Sequence, residues 1–344
     1  MIGSTQATWV TAGLAAVALA CGAEGPRGSQ PDAGPVAIAS DAGEDAAGDA
    51  AVTMVRDRCL SGDCAPVALP EQPELAFMKD MGDGWHRLME MDWTLSPASE
   101  GYRCMAFTVP ENLQVVAFYP RSPLGTHHSA FGIDTQPTRP DGYRACSSAP
   151  VGARRLPGSG AGTEPFAFPE GVGMPIEQGS QIHMNLHLFN LSDEVLRGRS
   201  GIWVKVVEAD AIEFEAEDVL AGSTNLEVPP GRSTHRSVCT LWGDTTLFSL
   251  GPHMHQLGVS TRVIAHTAEG EQVLHDGAYD FYHQISYMLE PFSLAMGDRI
   301  EVECTYENDR GRTVYWGDGS LEEMCFVSLG LYPGVGYGTF PCFE

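Results

Sequence analysis

Beyond about Leu69 the apolar residues of this chain fall into short runs, several of which alternate with polar residues at period two. Arg299-Ile300-Glu301-Val302-Glu303-Cys304 has one apolar and one largely charged face, as a half-buried strand requires. Gly201 to Val207 places Ile202, Val204 and Val206 on one side, and Leu113 to Tyr119 is a further strand-like run. Turn signals separate the runs: Pro140-Asp141-Gly142, Pro229-Pro230-Gly231 and Gly317-Asp318-Gly319. Helical periodicity rarely persists for more than about two turns. The pattern predicts an all-β protein of two tandem antiparallel, jelly-roll-like β-sandwich domains. The acidic stretch from Glu208 to Glu217 interrupts the alternation and marks the junction, giving sandwiches over 69–209 and 210–344.

Composition adds to this reading. The 344 residues are 43% hydrophobic, enough for two ordinary cores, and 39 Gly with 23 Pro suit many turns between short strands. A net charge of −25 argues against nucleic acid or an anionic membrane face as partner. Ahead of the patterned region, residues 1–21 read as an export or lipoprotein signal. Thr8 to Ala20 is apolar but short for a membrane span, Ala18-Leu19-Ala20 fits a cleavage site, and Cys21 follows at once. Ordinary cleavage leaves Cys21 free; lipoprotein processing attaches a lipid to it, which would be the only membrane contact. Residues 22–68 contain little that can form a core and read as a disordered linker. The expected location is periplasmic, on the outer membrane or cell surface, or secreted.

Nine cysteines less Cys21 leave eight, an even number that suits a disulfide framework in an oxidising compartment. Cys59 and Cys64 form either a local loop or a metal knuckle. The loop is favoured because no second pair stands nearby.

Eleven histidines are present, and six fall in compact settings. Adjacent His127 and His128 point to opposite faces of a regular strand, so they can share one ion only where the strand is distorted. The upstream Pro123 and Gly125 favour such distortion. In His183-Met184-Asn185-Leu186-His187 both histidines share a face, so either suits the same ion. His253-Met254-His255 directs two imidazoles to one side, as a sheet-borne metal platform needs. Histidine alone does not choose among zinc, copper and iron, whereas a thioether selects Cu(I). Met324 is a candidate, but thirteen methionines are present and most such residues fill cores.

Taken in order, His127-His128, His187, Pro252-His253-Met254-His255-x-Leu257-Gly258 and Glu322-Glu323-Met324-Cys325 resemble the type II copper, ascorbate-dependent monooxygenases. That family includes the peptidylglycine α-hydroxylating and dopamine β-monooxygenases. Gly297 to Tyr306 also resembles the strand preceding the family's Met-Cys motif, and the likeness runs over about residues 75–344. The resemblance implies two copper ions per chain. His127, His128 and His187 would hold the electron-supplying one; His253, His255 and Met324 would hold the one that meets dioxygen. The two would face each other across an open, solvent-filled cleft. It further implies disulfides Cys104–Cys146, Cys239–Cys342 and Cys304–Cys325, leaving Cys59 with Cys64. A small or peptidic substrate, dioxygen and an ascorbate-like one-electron reductant are the implied partners. The alternative is an exported copper-binding lipoprotein that keeps the fold without turnover.

The chain departs from the peptide-amidating members at the substrate. Gly251 stands where they carry a carboxylate-binding Arg, and Phe326 and Ser328 replace Asn and Tyr. These changes argue against glycine-extended peptides as substrates. Glu322-Glu323-Met324-Cys325 is closer to the catecholamine-hydroxylating branch. His86, His235, His266, His275 and His283 match no family position and read as surface or structural residues. Between His183 and His187, the family position favours His187.

Overall fold

A computed structural model describes residues 54–336 apart from 61, 63, 73–76, 138, 147–153 and 161. The expected signal, the first part of the expected linker and Cys342 lie outside these residues.

The described part is all-β, with one short 3-10 turn at Ala209–Ala211 and no α-helix among the described residues. Two sandwiches follow one another. In the first, one sheet runs in the order Arg154–Gly160, Thr126–Asp134, Gln181–Asn190, Ser99–Thr108 and Arg58–Cys59. The facing sheet is built on Leu113–Arg121, Leu196–Val206 and Trp85–Leu95. In the second, Glu217–Ser223, Cys325–Tyr332, Thr245–Met254 and Tyr287–Leu294 face Gly231–Thr240, Arg299–Asn308, Gly258–Thr267 and Gly270–Ala278. Pairing is antiparallel throughout the long strands. The junction supplies an exception, since Phe214–Glu215 pairs in parallel with Val172–Ile176 of the first sandwich.

Each sandwich has its own apolar cluster, one around Trp93, Phe118 and Phe131 and the other around Leu250, Val302 and Leu329. Two strands explain how a site arises between them. Every residue of Gln181–Asn190 is buried. Ile182, Met184, Leu186 and Leu188 enter the first core, at about 1.5–3 kcal/mol each by transfer free energy. The alternate residues, including His183 and His187, therefore lie on the opposite face of the sheet. In Thr245–Met254, Leu250 and Met254 likewise enter the second core, so Gly251 and His253 face the other way. The outward faces of the two sheets meet, and this double coverage is why polar residues there are buried.

The stretch expected to be disordered up to residue 68 is ordered from Met54 onward. Asp57 is buried and paired with buried Arg103 at 2.8 Å, while also accepting the Ser96 amide and hydroxyl. A buried carboxylate tied to a buried guanidinium anchors a segment whose apolar content gives no such sign. The Cys59–Cys64 disulfide closes the adjoining loop, so this pair is the local loop rather than a metal knuckle. Cys104–Cys146 and Cys304–Cys325 are formed as the resemblance implies. Cys239 is also disulfide-bonded, though its expected partner lies outside the described residues.

Candidate metal centre

The first ligand set is assembled by a strand defect. Along the pairing of Gln181–Asn190 with Thr126–Asp134, His187 is opposite His128 but Leu188 is opposite Thr126. His127 is thus the extra residue of a β-bulge, which turns two consecutive imidazoles toward one point. Nδ1 of His127 lies 3.1 Å from Nδ1 of His128 and 3.3 Å from Nδ1 of His187. Metal–nitrogen bonds of about 2 Å place neighbouring nitrogens about 3–3.5 Å apart at trigonal or tetrahedral angles. Both distances from His127 meet that requirement, and the ligand atoms of the three residues all lie within 4.8 Å of one another. The remaining edges are held from behind: His187 Nε2 lies 3.2 Å from Glu100 Oε2, and His187 stacks on the Tyr102 ring at 4.4 Å. His183 is buried on the same strand without a hydrogen-bond partner for either ring nitrogen, and is not part of the cluster. It stands four residues, about 13 Å, along the strand from His187.

In the second set, each imidazole uses Nδ1 for a hydrogen bond and leaves Nε2 for another purpose. His253 Nδ1 lies 2.8 Å from Gln284 Oε1, and His255 Nδ1 lies 3.1 Å from the Glu322 carbonyl. His255 Nε2 is buried with no hydrogen-bond partner. An imidazole nitrogen acceptor left bare in a closed interior costs free energy that a bound cation recovers. Met254 pairs with Cys325, so continuing that register sets Met324 opposite His255. Met324 also lines the same cavity as His253. Two imidazoles and a thioether form a donor set suited to copper, and three imidazoles accept either of its common oxidation states.

Glu323 organises this second set without entering it. Its carboxylate is fully buried and accepts the backbone amides of His255 at 3.0 Å and Leu257 at 2.7 Å. Burial pushes its carboxyl up and these amides pull it back, leaving it at about 7. Glu100 shows the opposite balance. Burial raises it, but the hydrogen bonds from His187 and the Ser320 amide prevail and bring it down to about 2. The imidazoles of His127, His128 and His255 are held well below their ordinary value, first by burial and then by each other; His253 falls to about 4. All are neutral at pH 7, the state in which imidazole binds metal.

All six predicted residues lie around the meeting of the two sheets. The expected open cleft between the two histidine sets is not what the structure shows. His128 and His253 have ring centroids 4.9 Å apart, and His127 and His255 5.8 Å apart. Gln284 joins the sets, with Nε2 2.7 Å from His127 Nε2 and Oε1 2.8 Å from His253 Nδ1. The sheets close because their facing sides are apolar or mutually hydrogen-bonded. The Tyr102 hydroxyl donates to the Asp318 carbonyl, the Ser320 amide donates to Glu100, and Arg58 pairs with Glu322. His86, His235, His266, His275 and His283 are outside the cluster. His266 pairs with Glu301 and exposed His283 with Asp280.

Fold and site together give a β-sandwich protein with a cluster of three histidines, His127, His128 and His187, that could hold a metal ion, and with His253, His255 and Met324 close by. Residues 219–341 match the family described as copper type II ascorbate-dependent monooxygenase, C-terminal domain. This match supports assigning residues 219–341 to that domain family, in keeping with the resemblance read from the sequence. Among solved structures it is similar to a protein of Parabacteroides distasonis described as secreted, at 10% identity over 77% of this chain and 92% of that one, TM-score 0.15. Dimeric latent PorU of Porphyromonas gingivalis shows 8% identity over 69% of this chain and 25% of that one, TM-score 0.16. Structural likenesses this weak carry no argument about fold or function.

Proposed function

We propose that the chain is a monooxygenase that holds two copper ions and hydroxylates a C–H bond of a small or peptidic substrate with dioxygen and a one-electron reductant. The observation that supports this reading is the three-histidine cluster with His253, His255 and Met324 close beside it. His127 Nδ1 lies 3.1 and 3.3 Å from the Nδ1 atoms of His128 and His187, and a buried, unpartnered His255 Nε2 stands beside the thioether strand. Copper bound here would supply one-electron redox chemistry and activation of dioxygen.

The chain's own contribution is positional. Glu100 fixes the rotation of the His187 ring, as a hydrogen-bonded carboxylate does for a metal-bound imidazole. The Glu322 carbonyl and Glu323 carboxylate fix the turn that carries His255. The Cys304–Cys325 disulfide fixes the start of the strand next to Met324. Phe326, Pro252 and Leu220 line the cavity beside His253 and limit water there.

The test is copper stoichiometry on the disulfide-formed protein, followed by oxygen uptake with ascorbate. Two coppers per chain and reductant-dependent uptake that rises with substrate are expected. Two coppers without oxygen chemistry would leave a copper-binding protein of the same fold, and fewer than two would mean that one donor set is misassigned.

A further inference from the structure

A cavity of about 270 Å³ lies where the two sandwiches meet. Its floor is the side of the second-sandwich sheet that faces away from the core. Strand pairing sets Leu220 and Gly251 on either side of Ser328, and His253 beside Phe326. Most of the lining is apolar, with Leu220, Pro252, Phe326, Trp316 and Met324 among it. Among the described residues two charged side chains line it, Arg155 and Asp318. Asp318 belongs to the end near Tyr102, whose hydroxyl its carbonyl accepts. Arg155 comes from strand Arg154–Gly160 of the first sandwich and reaches Asp218, whose carboxylate also holds Ser328 of the floor.

Arg155 is held along one edge. Its Nε donates to Asp218 Oδ1 at 2.9 Å, and the other Asp218 oxygen accepts the Ser328 hydroxyl. Asp218 is buried, and each of its oxygens has a partner. The two terminal nitrogens of Arg155 make no hydrogen bond to any described residue, and its side chain keeps 23% exposure. A guanidinium braced at Nε presents two parallel N–H groups from its far edge, the geometry that receives a carboxylate. One cation already paired with a carboxylate matches a monoanion better than a phosphate dianion.

Glycine at 251 keeps the space beside Ser328 open. A Cβ there would stand 3.2 Å from Ser286 Oγ and 3.6 Å from Ser328 Cβ. We infer that Arg155 is a specificity-determining residue and that the substrate is an apolar monocarboxylic acid, its carboxylate on the free edge of Arg155. Ser328 lies two residues from Phe326 and four from Met324, about 7 and 13 Å along the strand. The carbon that reacts therefore stands several bonds from the carboxylate. This inference rests on the monooxygenase reading for the chemistry at the Met324 end, but the binding itself needs no copper.

An Arg155–Asp218 pair that only tied the sandwiches together would affect every ligand alike, so the test compares an acid with its neutral twin. Calorimetric titration of 5-phenylpentanoate and 5-phenylpentanamide into the whole protein, with and without copper, is the measurement. The acid is expected to bind roughly 10–100-fold more tightly than the amide, the range set by a charge-assisted hydrogen bond. Arg155→Gln should erase that preference while leaving amide affinity in place, and Arg155→Lys should keep part of it. Equal binding of acid and amide, binding of neither, or a preference that survives Arg155→Gln overturns the inference. The wild-type ratio decides even if the Gln variant fails to fold. Acid preference in a protein that takes up no copper would keep this site and remove the monooxygenase reading; copper and oxygen uptake without acid preference would do the reverse.

Discussion

Glu100 and Glu323 are both buried carboxylates, yet they do different work because their partners differ. Glu100 receives one imidazole N–H and one backbone amide, Glu323 receives backbone amides of the turn carrying His255. Removing Glu100 frees the His187 ring to rotate. Glu100→Ala is expected to weaken copper at the three-histidine set by about 10–100-fold, the usual effect of losing such a support. Competition with a calibrated Cu(I) chelator measures it, and an unchanged affinity would remove Glu100 from the site. Glu323→Ala instead strips two buried amides of their acceptor, at about 1–3 kcal/mol each. Its expected signature is a loss of roughly 2–5 kcal/mol in denaturant unfolding, with weaker copper at the second set. A variant of wild-type stability would mean that water replaces the carboxylate. The candidate ligands came from the sequence through the resemblance, which joined H-H, H-x-H and Met-Cys, each a weak local pattern alone; of them the structure gathers His127, His128 and His187 into one cluster. Glu100 and Gln284 were not legible there. Each acts through a residue some 30 or more positions away, and nothing beside them in the chain marks them as different from surface polar residues.

At the scale of single elements, most strands were legible. Arg299–Asn308 buries Ile300, Val302, Cys304 and Tyr306 on one side, as its alternation predicts. The bulge at His127 was foreseen as a need of two adjacent ligands, with Pro123 and Gly125 as its cue. The segment from Met54 to Ala68 was misread because its order comes from one ion pair, Asp57 with Arg103, and a short disulfide loop rather than from apolar periodicity. Disulfides matter most beside Met324. Cys304–Cys325 links strands of the two facing sheets across 21 residues. Closing a loop of that size restricts the unfolded chain by about 3 kcal/mol in the entropy model. The Cys304→Ser, Cys325→Ser double variant is therefore expected to lose up to about 3 kcal/mol in unfolding. It should also lose copper from the methionine set before the three-histidine set, read as a drop from two coppers toward one at limiting metal. Loss in the reverse order would show that the bridge does not hold Met324 in place.

Across the whole molecule, the proton inventory around Gln284 sets a limit on how the two sandwiches pack. An amide side chain offers one acceptor and one donor toward these rings, whichever way it is turned. With metal on Nδ1, His127 carries its proton on Nε2, the atom facing Gln284; with metal on Nε2, His253 carries its proton on Nδ1, which also faces Gln284. Two N–H groups then compete for a single oxygen, and one buried donor goes unmet at about 1–3 kcal/mol. The two ligand sets contain neutral donors only, so the ions' charges are not cancelled within them. Unit charges about 6 Å apart repel by about 3 kcal/mol at an effective dielectric near 20. Against these terms stand contacts such as Tyr102 to Asp318 and Arg58 to Glu322, the latter partly exposed and worth about 0–1 kcal/mol. Loading both sets with copper is therefore expected to separate the two sandwiches and open the space between the histidine sets. Small-angle X-ray scattering should show a larger radius of gyration for the two-copper protein than for the copper-free protein. Gln284→Leu, which removes the bridge, should shift the copper-free protein part of the way toward that value. Identical scattering from the copper-free and two-copper proteins would mean that the packed arrangement accommodates both ions, with the amide and the charges satisfied by water that enters with them.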